Sequence, residues 1–213
     1  MKIAILTSPN QWFSSYAKAL QDKIPDSKLF VDHKEIKSSF DVLFILSYHL
    51  IIDDKYLKQN KQNIIIHASD LPKGKGWSPM FWQILDGSNE IVFSMFEADS
   101  KIDNGYIYMK KTLSLNGYEL NQELREKQAK FIIDMCLDFV NDTNDYQNKK
   151  AQSGNETFYK KRTSKDSELD INKSIKEQFN LLRIVDNENY PAFFYKDGKK
   201  YIIKITKEND ENR

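Results

Sequence analysis

The sequence predicts an α/β fold: a doubly wound, mostly parallel sheet followed by a small α+β subdomain of one helix and a β-hairpin. Three observations predict it. From the N-terminus to about residue 140, short apolar runs alternate with stretches of helical period. Most of these runs are nearly continuous Val, Ile, Leu and Phe, the pattern of strands covered on both faces. Beyond a polar stretch, the chain reads helix, strand, Asp197-Gly198, strand.

Lys2-Ile3-Ala4-Ile5-Leu6-Thr7 is an apolar run that breaks at Ser8-Pro9-Asn10, and an amphipathic stretch follows to about residue 24. Together they form an opening βα unit. Runs at 28–31, 42–46, 63–67, 92–96 and 106–115 continue the alternation, and the first four of these read as buried parallel strands. Ser78-Pro79 before Met80-Phe81-Trp82-Gln83-Ile84-Leu85 and Gly87 offers an N-cap serine, a proline at the first helical position and a terminating glycine, which predicts a short helix. From 118 to 140, Leu120, Leu124, Gln128, Phe131, Met135 and Phe139 recur at three- and four-residue steps, one long helix with an apolar stripe. Residues 141–156 turn to Asn, Asp, Gln, Lys and Ser, the profile of a solvated connector. The expected organisation is a core domain over 1–141, a connector over 142–157 and a subdomain over 158–213. In that subdomain a helix is expected at 171–185 and strands at 192–196 and 200–207.

The chain has 213 residues, 40% hydrophobic and 13% aromatic, enough for one good-sized core and an appendage. Thirty-two basic residues balance 31 acidic ones, so no global field collects nucleic acid or an anionic membrane. The single cysteine, Cys136, excludes an internal disulfide, and its apolar helical surroundings read as core. No second cysteine or histidine stands at ligand spacing around it, so no metal is expected. With no long apolar run or leader, the expected location is the cytoplasm.

His67 ends the apolar strand Asn63-Ile64-Ile65-Ile66 and precedes a proline- and glycine-bearing loop, a position that aims a titratable ring at the open end of a sheet. His33, set among Asp32, Lys34 and Glu35, reads as solvated. Asp103 before Asn104-Gly105 is by itself a turn residue. Lys73-Gly74-Lys75-Gly76 lacks the spacing of a nucleotide-triphosphate loop, so it is either a plain turn or, with Trp77, part of an acceptor site. In the tail, Arg162, Arg183 and Tyr190 are either solvated surface or contacts to a nucleotide diphosphate and its base, and the apolar hairpin is packing, an acceptor wall or a homodimer interface.

In combination, His67, Ser69, Leu71-Pro72, Gly76, Pro79 and Asp103-Asn104-Gly105-Tyr106-Ile107 resemble the folate-dependent formyltransferases. That family, which includes methionyl-tRNA, glycinamide ribonucleotide and nucleotide-sugar enzymes, shares an Asn-x-His strand end, a Leu-Pro turn and an Asp-x-Gly-x-Ile segment. The wording Ser-Asp-Leu-Pro-Lys-Gly-Lys-Gly-Trp-Ser-Pro is most similar to the short sugar N-formyltransferases of pseudaminic acid biosynthesis. The resemblance implies a Rossmann-like formyltransferase sheet, with 10-formyltetrahydrofolate as co-substrate and no metal. It implies that His67 stabilises the oxyanion and moves a proton, with Asp103 as relay and Asn63 as the remaining catalytic candidate. Ser47, Tyr48, Glu97, Asp99 and Ile102 would line the folate pocket, and Lys73, Lys75, Trp77 and Arg162 would meet the acceptor.

The implied reaction transfers a formyl group to the 4-amino group of a UDP-linked 4-amino-4,6-dideoxy hexosamine, a small-molecule partner. Transfer to a dTDP-amino sugar or to methionyl-tRNA, hydrolysis of the formyl folate, and a catalytically inactive binding module are the alternatives. The short, near-neutral tail disfavours tRNA. One residue departs from the pattern: Ile65 stands where the family has its asparagine, and at about 3.3 Å per residue Asn63 lies roughly 13 Å of strand from His67.

Overall fold

In the computed structural model, which describes residues 1–99, 101–142 and 149–208, a six-stranded mixed sheet forms the core. The chain runs β1 (Ile3–Leu6), α1 (Ser14–Lys23), β2 (Lys28–Phe30), β3 (Val42–Ile45), α2 (Asp54–Leu57) and β4 (Gln62–His67). It continues through β5 (Lys75–Gly76), α3 (Pro79–Leu85), β6 (Glu90–Glu97), β7 (Ile107–Ser114) and the long α4 (Asn121–Asn141). The tail holds β8 (Phe158–Tyr159), α5 (Phe179–Ile184) and the hairpin β9 (Ala192–Lys196) and β10 (Lys199–Ile203). Among the described residues, no helix is long and apolar enough to cross a membrane.

The strand order is β2-β1-β3-β4-β6-β7. β1, β2, β3 and β4 are parallel, and every residue of β1 and β3 is buried, as their unbroken apolar runs require. β6 runs antiparallel to β4, which corrects the expectation of a fourth parallel strand among the later runs. Geometry explains the reversal. The seven residues of α3 span about 10 Å, whereas the eight of β6 span about 26 Å, so the helix cannot carry the chain back to the start of β4. β6 begins instead at the end where β4 finishes, pairing Ser94 with His67, and β7 returns antiparallel to it.

Because β1 lies between β2 and β3, the chain changes direction across the sheet there. The loops after β1 and β3 leave the same edge toward opposite sides and open a crevice outside the strand ends. One apolar layer packs α1 and α4 on the sheet, with Leu124, Ile132, Met135, Cys136 and Phe139 of α4 buried against Phe44 and Phe93. Phe139 meets Phe44 and Tyr108 edge to face, and burial of each such ring stabilises the fold by about 1.5–3 kcal/mol. Glu123 accepts from the backbone N–H of Leu120 at 2.7 Å and closes the first turn of α4.

Three further elements depart from expectation. Ser78 does not cap α3: it sits in the left-handed region at φ 50° with no side-chain cap bond, and Pro79 leaves one fewer N–H to satisfy. Only Phe179–Ile184 of the region 171–185 is helical, since Asp170, Ser174 and Gln178 bind local backbone in turns instead. His33 is buried rather than solvated, with its Nδ1 2.7 Å from the Tyr48 hydroxyl and its ring edge-on to Tyr56. The hairpin forms as its turn demands, with Asp197 and Gly198 both at positive φ, 50° and 74°.

Candidate active site

β4 delivers His67 to the crevice, and the turn that follows is held from below. Ser94 Oγ donates to the Ser69 carbonyl at 2.7 Å and accepts from Leu71 N at 3.2 Å, while Gln83 Nε2 donates to the Ala68 carbonyl at 2.7 Å. The Leu71–Pro72 bond is cis. The His67 ring, 10% exposed, donates its Nε2–H to the Gly74 carbonyl at 2.9 Å. Nδ1 has no hydrogen-bond partner among the described residues.

Asp103 reaches the same ring from the loop between β6 and β7, with Oδ2 3.8 Å from His67 Nε2. It sits at φ 49°, and its Oδ2 accepts from Gly76 N at 2.8 Å. Gln152 clasps this loop by donating to the carbonyls of Asp103 and Gly105 at 2.9 and 3.0 Å. Gly105 admits no side chain, because a Cβ there would stand 1.7 Å from the Glu97 carbonyl oxygen. The two candidate residues are thus fixed by one atom each, and Asp103 Oδ1, like His67 Nδ1, has no partner among the described residues.

The tail completes this frame. β8 pairs parallel with β5, Gly74 N donates to Thr157 Oγ1 at 2.8 Å, and Lys75 N donates to the Thr157 carbonyl at 2.9 Å. Lys75 is buried, its Nζ 2.7 Å from Glu156 Oε1 and 3.0 Å from Asn104 Oδ1. A Cβ at Gly76 would meet the Tyr159 carbonyl oxygen at 2.5 Å, so the glycines of this loop serve close strand packing rather than phosphate binding.

A cleft of about 1090 Å³ runs from the loops after β1, β3 and β4 to α4 and the tail. Behind the cleft residue His49, the buried Ser8 Oγ accepts from His49 N at 2.9 Å and bonds His49 Nδ1. Of the residues singled out by sequence, His67, Asp103, Ser47, Tyr48, Asp99, Ile102, Trp77 and Arg162 line it. Trp77 is half exposed, with Lys161 Nζ 4.9 Å from its ring, and the Tyr48 hydroxyl turns back to His33.

The structure corrects four of the others. Asn63 is buried at the far end of β4, where its amide donates to the Leu57 carbonyl at 2.9 Å and accepts from Asn60 at 3.1 Å; Ile65 holds the cleft face in its place. Glu97 turns to Asn63 N, Tyr108 and Lys149 rather than to the cleft. Lys73 is an exposed turn residue outside the cleft. Lys75 is committed to Glu156 and Asn104, so it positions the loop and does not face an acceptor. In the tail, Arg183 is likewise structural: it is buried, 3.1 Å from Glu119 Oε2. Burial would push the Glu119 carboxyl up, but hydrogen bonds from Lys127 and from the Asn116 backbone override it and hold the group at about 2.

Sequence reading missed Arg125, Trp12 and Gln152. Arg125 adjoins the apolar stripe of α4, but nothing local marks the Trp12 and Phe81 rings between which it lies. Among the described residues, no group of three His, Cys, Asp or Glu stands together as a metal site.

A family model described as formyl transferase matches residues 3–135. The bifunctional polymyxin resistance protein ArnA of Wigglesworthia glossinidia brevipalpis is 27% identical over 206 residues, covering 90% of this chain and 31% of that protein. A methionyl-tRNA formyltransferase from Clostridium thermocellum has the same fold, with TM-score 0.81 at 19% identity over 100% of this chain and 96% of that one. A 4-N formyltransferase from Francisella tularensis gives a TM-score of 0.69 at 17% identity, covering 98% of each chain. The chain spans less than two thirds of the length of the curated relatives it matches.

Proposed function

The chain belongs to the formyl transferase family, and on that premise we propose that it moves a formyl group from 10-formyltetrahydrofolate to the 4-amino group of a UDP-linked 4-amino-4,6-dideoxy hexosamine. The observation that carries this reading is the His67–Asp103 pair, each residue anchored at one atom and free at another, at the strand-end face of the cleft. The cleft wall beside it suits a flat, polar-edged heteroaromatic co-substrate: Ile45, Ile52, Leu57, Ile65 and Ala98 are apolar, with Ser47 and Asp99 at their margin.

The folate supplies an electrophilic formyl carbon, whose bond to N10 breaks as the new bond to the amine forms, so the proton lost by the amine is matched by one gained at N10 of the departing tetrahydrofolate. The chain's part is to meet the negative charge that grows on the formyl oxygen and to take the proton that the attacking amine must lose. In this reading His67 meets that oxygen through Nδ1–H in its protonated form, while its Nε2–H stays with Gly74. Asp103 Oδ1 accepts the amine proton, directly or through one water, and Gly76 N keeps the carboxylate in place. Asn63 takes no part, and a backbone N–H or a water supplies the donor that Ile65 cannot.

The tail supports a small acceptor. It packs on the core through Arg183–Glu119 and through Asn121, whose amide donates to the Ile184 carbonyl at 2.7 Å, and its Arg162, Asp186 and Tyr190 wall the cleft. An assay with 10-formyltetrahydrofolate and a panel of UDP- and dTDP-amino sugars, with methionyl-tRNA as competitor, tests the proposal by mass spectrometry of the product. Formylated UDP-amino sugar is the expected result. Formylation of methionyl-tRNA alone, or release of formate with no acceptor modified, overturns it.

A further inference from the structure

Two arginines line the cleft with no carboxylate partner in contact among the described residues. Arg125 lies between two aromatic rings, its Cζ 4.5 Å from the Trp12 ring and 4.3 Å from the Phe81 ring. Its one hydrogen bond among the described residues goes to Gln128 Oε1 at 3.1 Å. Arg162, with Cζ 5.9 Å from the Trp82 ring, donates Nη2 to the Asp166 carbonyl at 3.1 Å, and its Nε is buried with no partner. Neither guanidinium has a carboxylate oxygen within 4.0 Å among the described residues. The contrast with Arg183 is direct, since that arginine has Glu119, Asn89 and Asn180 around it.

Desolvation pulls Arg125 down to about 10, the nearby charge of Arg162 pushes the same way and Asp186 opposes both, so Arg125 stays cationic at neutral pH. Lys161 adds a third positive charge to this part of the cleft, against the Asp186 carboxylate on the wall and that of Asp166, which is itself hydrogen-bonded to Lys160 and acts on Arg162. Holding like charges together in a half-buried cleft is unfavourable until an anion enters between them. Guanidinium forks fit phosphate oxygens better than any other side chain, and a stacked guanidinium keeps its N–H edge free.

We infer that Arg125 and Arg162 form the diphosphate subsite of the acceptor, holding a nucleoside diphosphate while its sugar extends toward His67 and Asp103. This inference rests on the amino-sugar-nucleotide reading above, but its phosphate chemistry is testable without turnover. The probe is UDP alone, titrated calorimetrically into the full chain, with tetrahydrofolate titrated in parallel. Arg125→Met and Arg162→Met should each weaken UDP binding by about tenfold or more and leave tetrahydrofolate affinity within about twofold. Arg125→Lys should recover part of the loss.

Absence of UDP binding to the unaltered protein, or unchanged UDP affinity in both variants, overturns the inference. A parallel fall in tetrahydrofolate affinity also overturns it, because the arginines then serve the folate carboxylates or the fold. Should Arg125→Met melt early, Arg162→Met carries the same test. Arginine-dependent UDP binding by a protein that formylates no amino-sugar nucleotide supports the subsite and defeats the proposed function. Formylation with an unchanged KM in both variants does the reverse.

Discussion

Glu156 Oε1 lies 2.7 Å from the Nζ of Lys75, 81 residues earlier in the chain, and the same ammonium holds Asn104 beside Asp103. A residue beyond the core sheet therefore sets the loop that carries the candidate proton acceptor. Lys75→Met should lower kcat by about tenfold or more with a small change in KM for either substrate, because it displaces Asp103 without touching reactants. Glu156→Gln, which keeps a hydrogen-bonding oxygen, should lose less. Steady-state kinetics on the two variants check the order, and equal losses would contradict a positioning role for Lys75.

His67→Ala and Asp103→Ala should each reduce turnover by at least about 100-fold while melting close to the unaltered protein. Asp103→Asn should retain the Gly76 N–H contact and still lose the proton acceptor, so its kcat should fall almost as far. Near-normal turnover in His67→Ala would sink the mechanism.

Arg183→Met should destabilise the fold by about 1–3 kcal/mol, since it removes the buried guanidinium and its hydrogen bonds to Glu119 and Asn89 while Lys127 and the Asn116 N–H still hold the Glu119 carboxylate, and urea denaturation measures the change. The pH dependence follows from Glu119 itself, held at about 2 against an ordinary 4.5. Between those values the unfolded chain binds the extra proton and the folded one does not, so stability rises with pH across that window. The contribution, on the order of 3 kcal/mol, is complete above about pH 4.5 and is lost as pH falls toward 2. Glu119→Gln should flatten that part of the acid-denaturation profile.

Gly105→Ala should fail to fold or melt far below the unaltered protein, because its Cβ would stand 1.7 Å from a backbone oxygen of β6. Gly76→Ala, at φ 95° with the Tyr159 carbonyl 2.5 Å away, should separate β8 from β5. Its expected signature is lost activity with a milder fall in melting temperature. Circular dichroism and activity measured together separate the two outcomes.

Much of the site was legible before the fold was known. His67 stood out as a strand-end histidine, whereas Asp103 and the Leu71-Pro72 turn were joined to it only through the resemblance to the formyltransferases. Ser47, Trp77 and Arg162 also line the cleft. Asn63 and Glu97 were misread for one reason: their side chains satisfy buried backbone groups of other segments, and no local pattern records which groups those are. Lys75 reads as part of a plain turn or as an acceptor contact until its partners Asn104 and Glu156 are brought to it.

The sequence by itself determined most of the strand and helix types, the buried stripe of α4 and the hairpin turn at Asp197-Gly198. These are consequences of short-range periodicity, steric preference and turn chemistry, which a few neighbouring residues specify. Only the tertiary structure decided the direction of β6, the return of β8 to the catalytic loop, the meeting of His67 with Asp103, the pairing of Arg183 with Glu119 and, among the described residues, the want of a carboxylate in contact with Arg125 or Arg162. Each of these depends on which polar groups from distant segments are buried together, and burial is a property of the assembled chain.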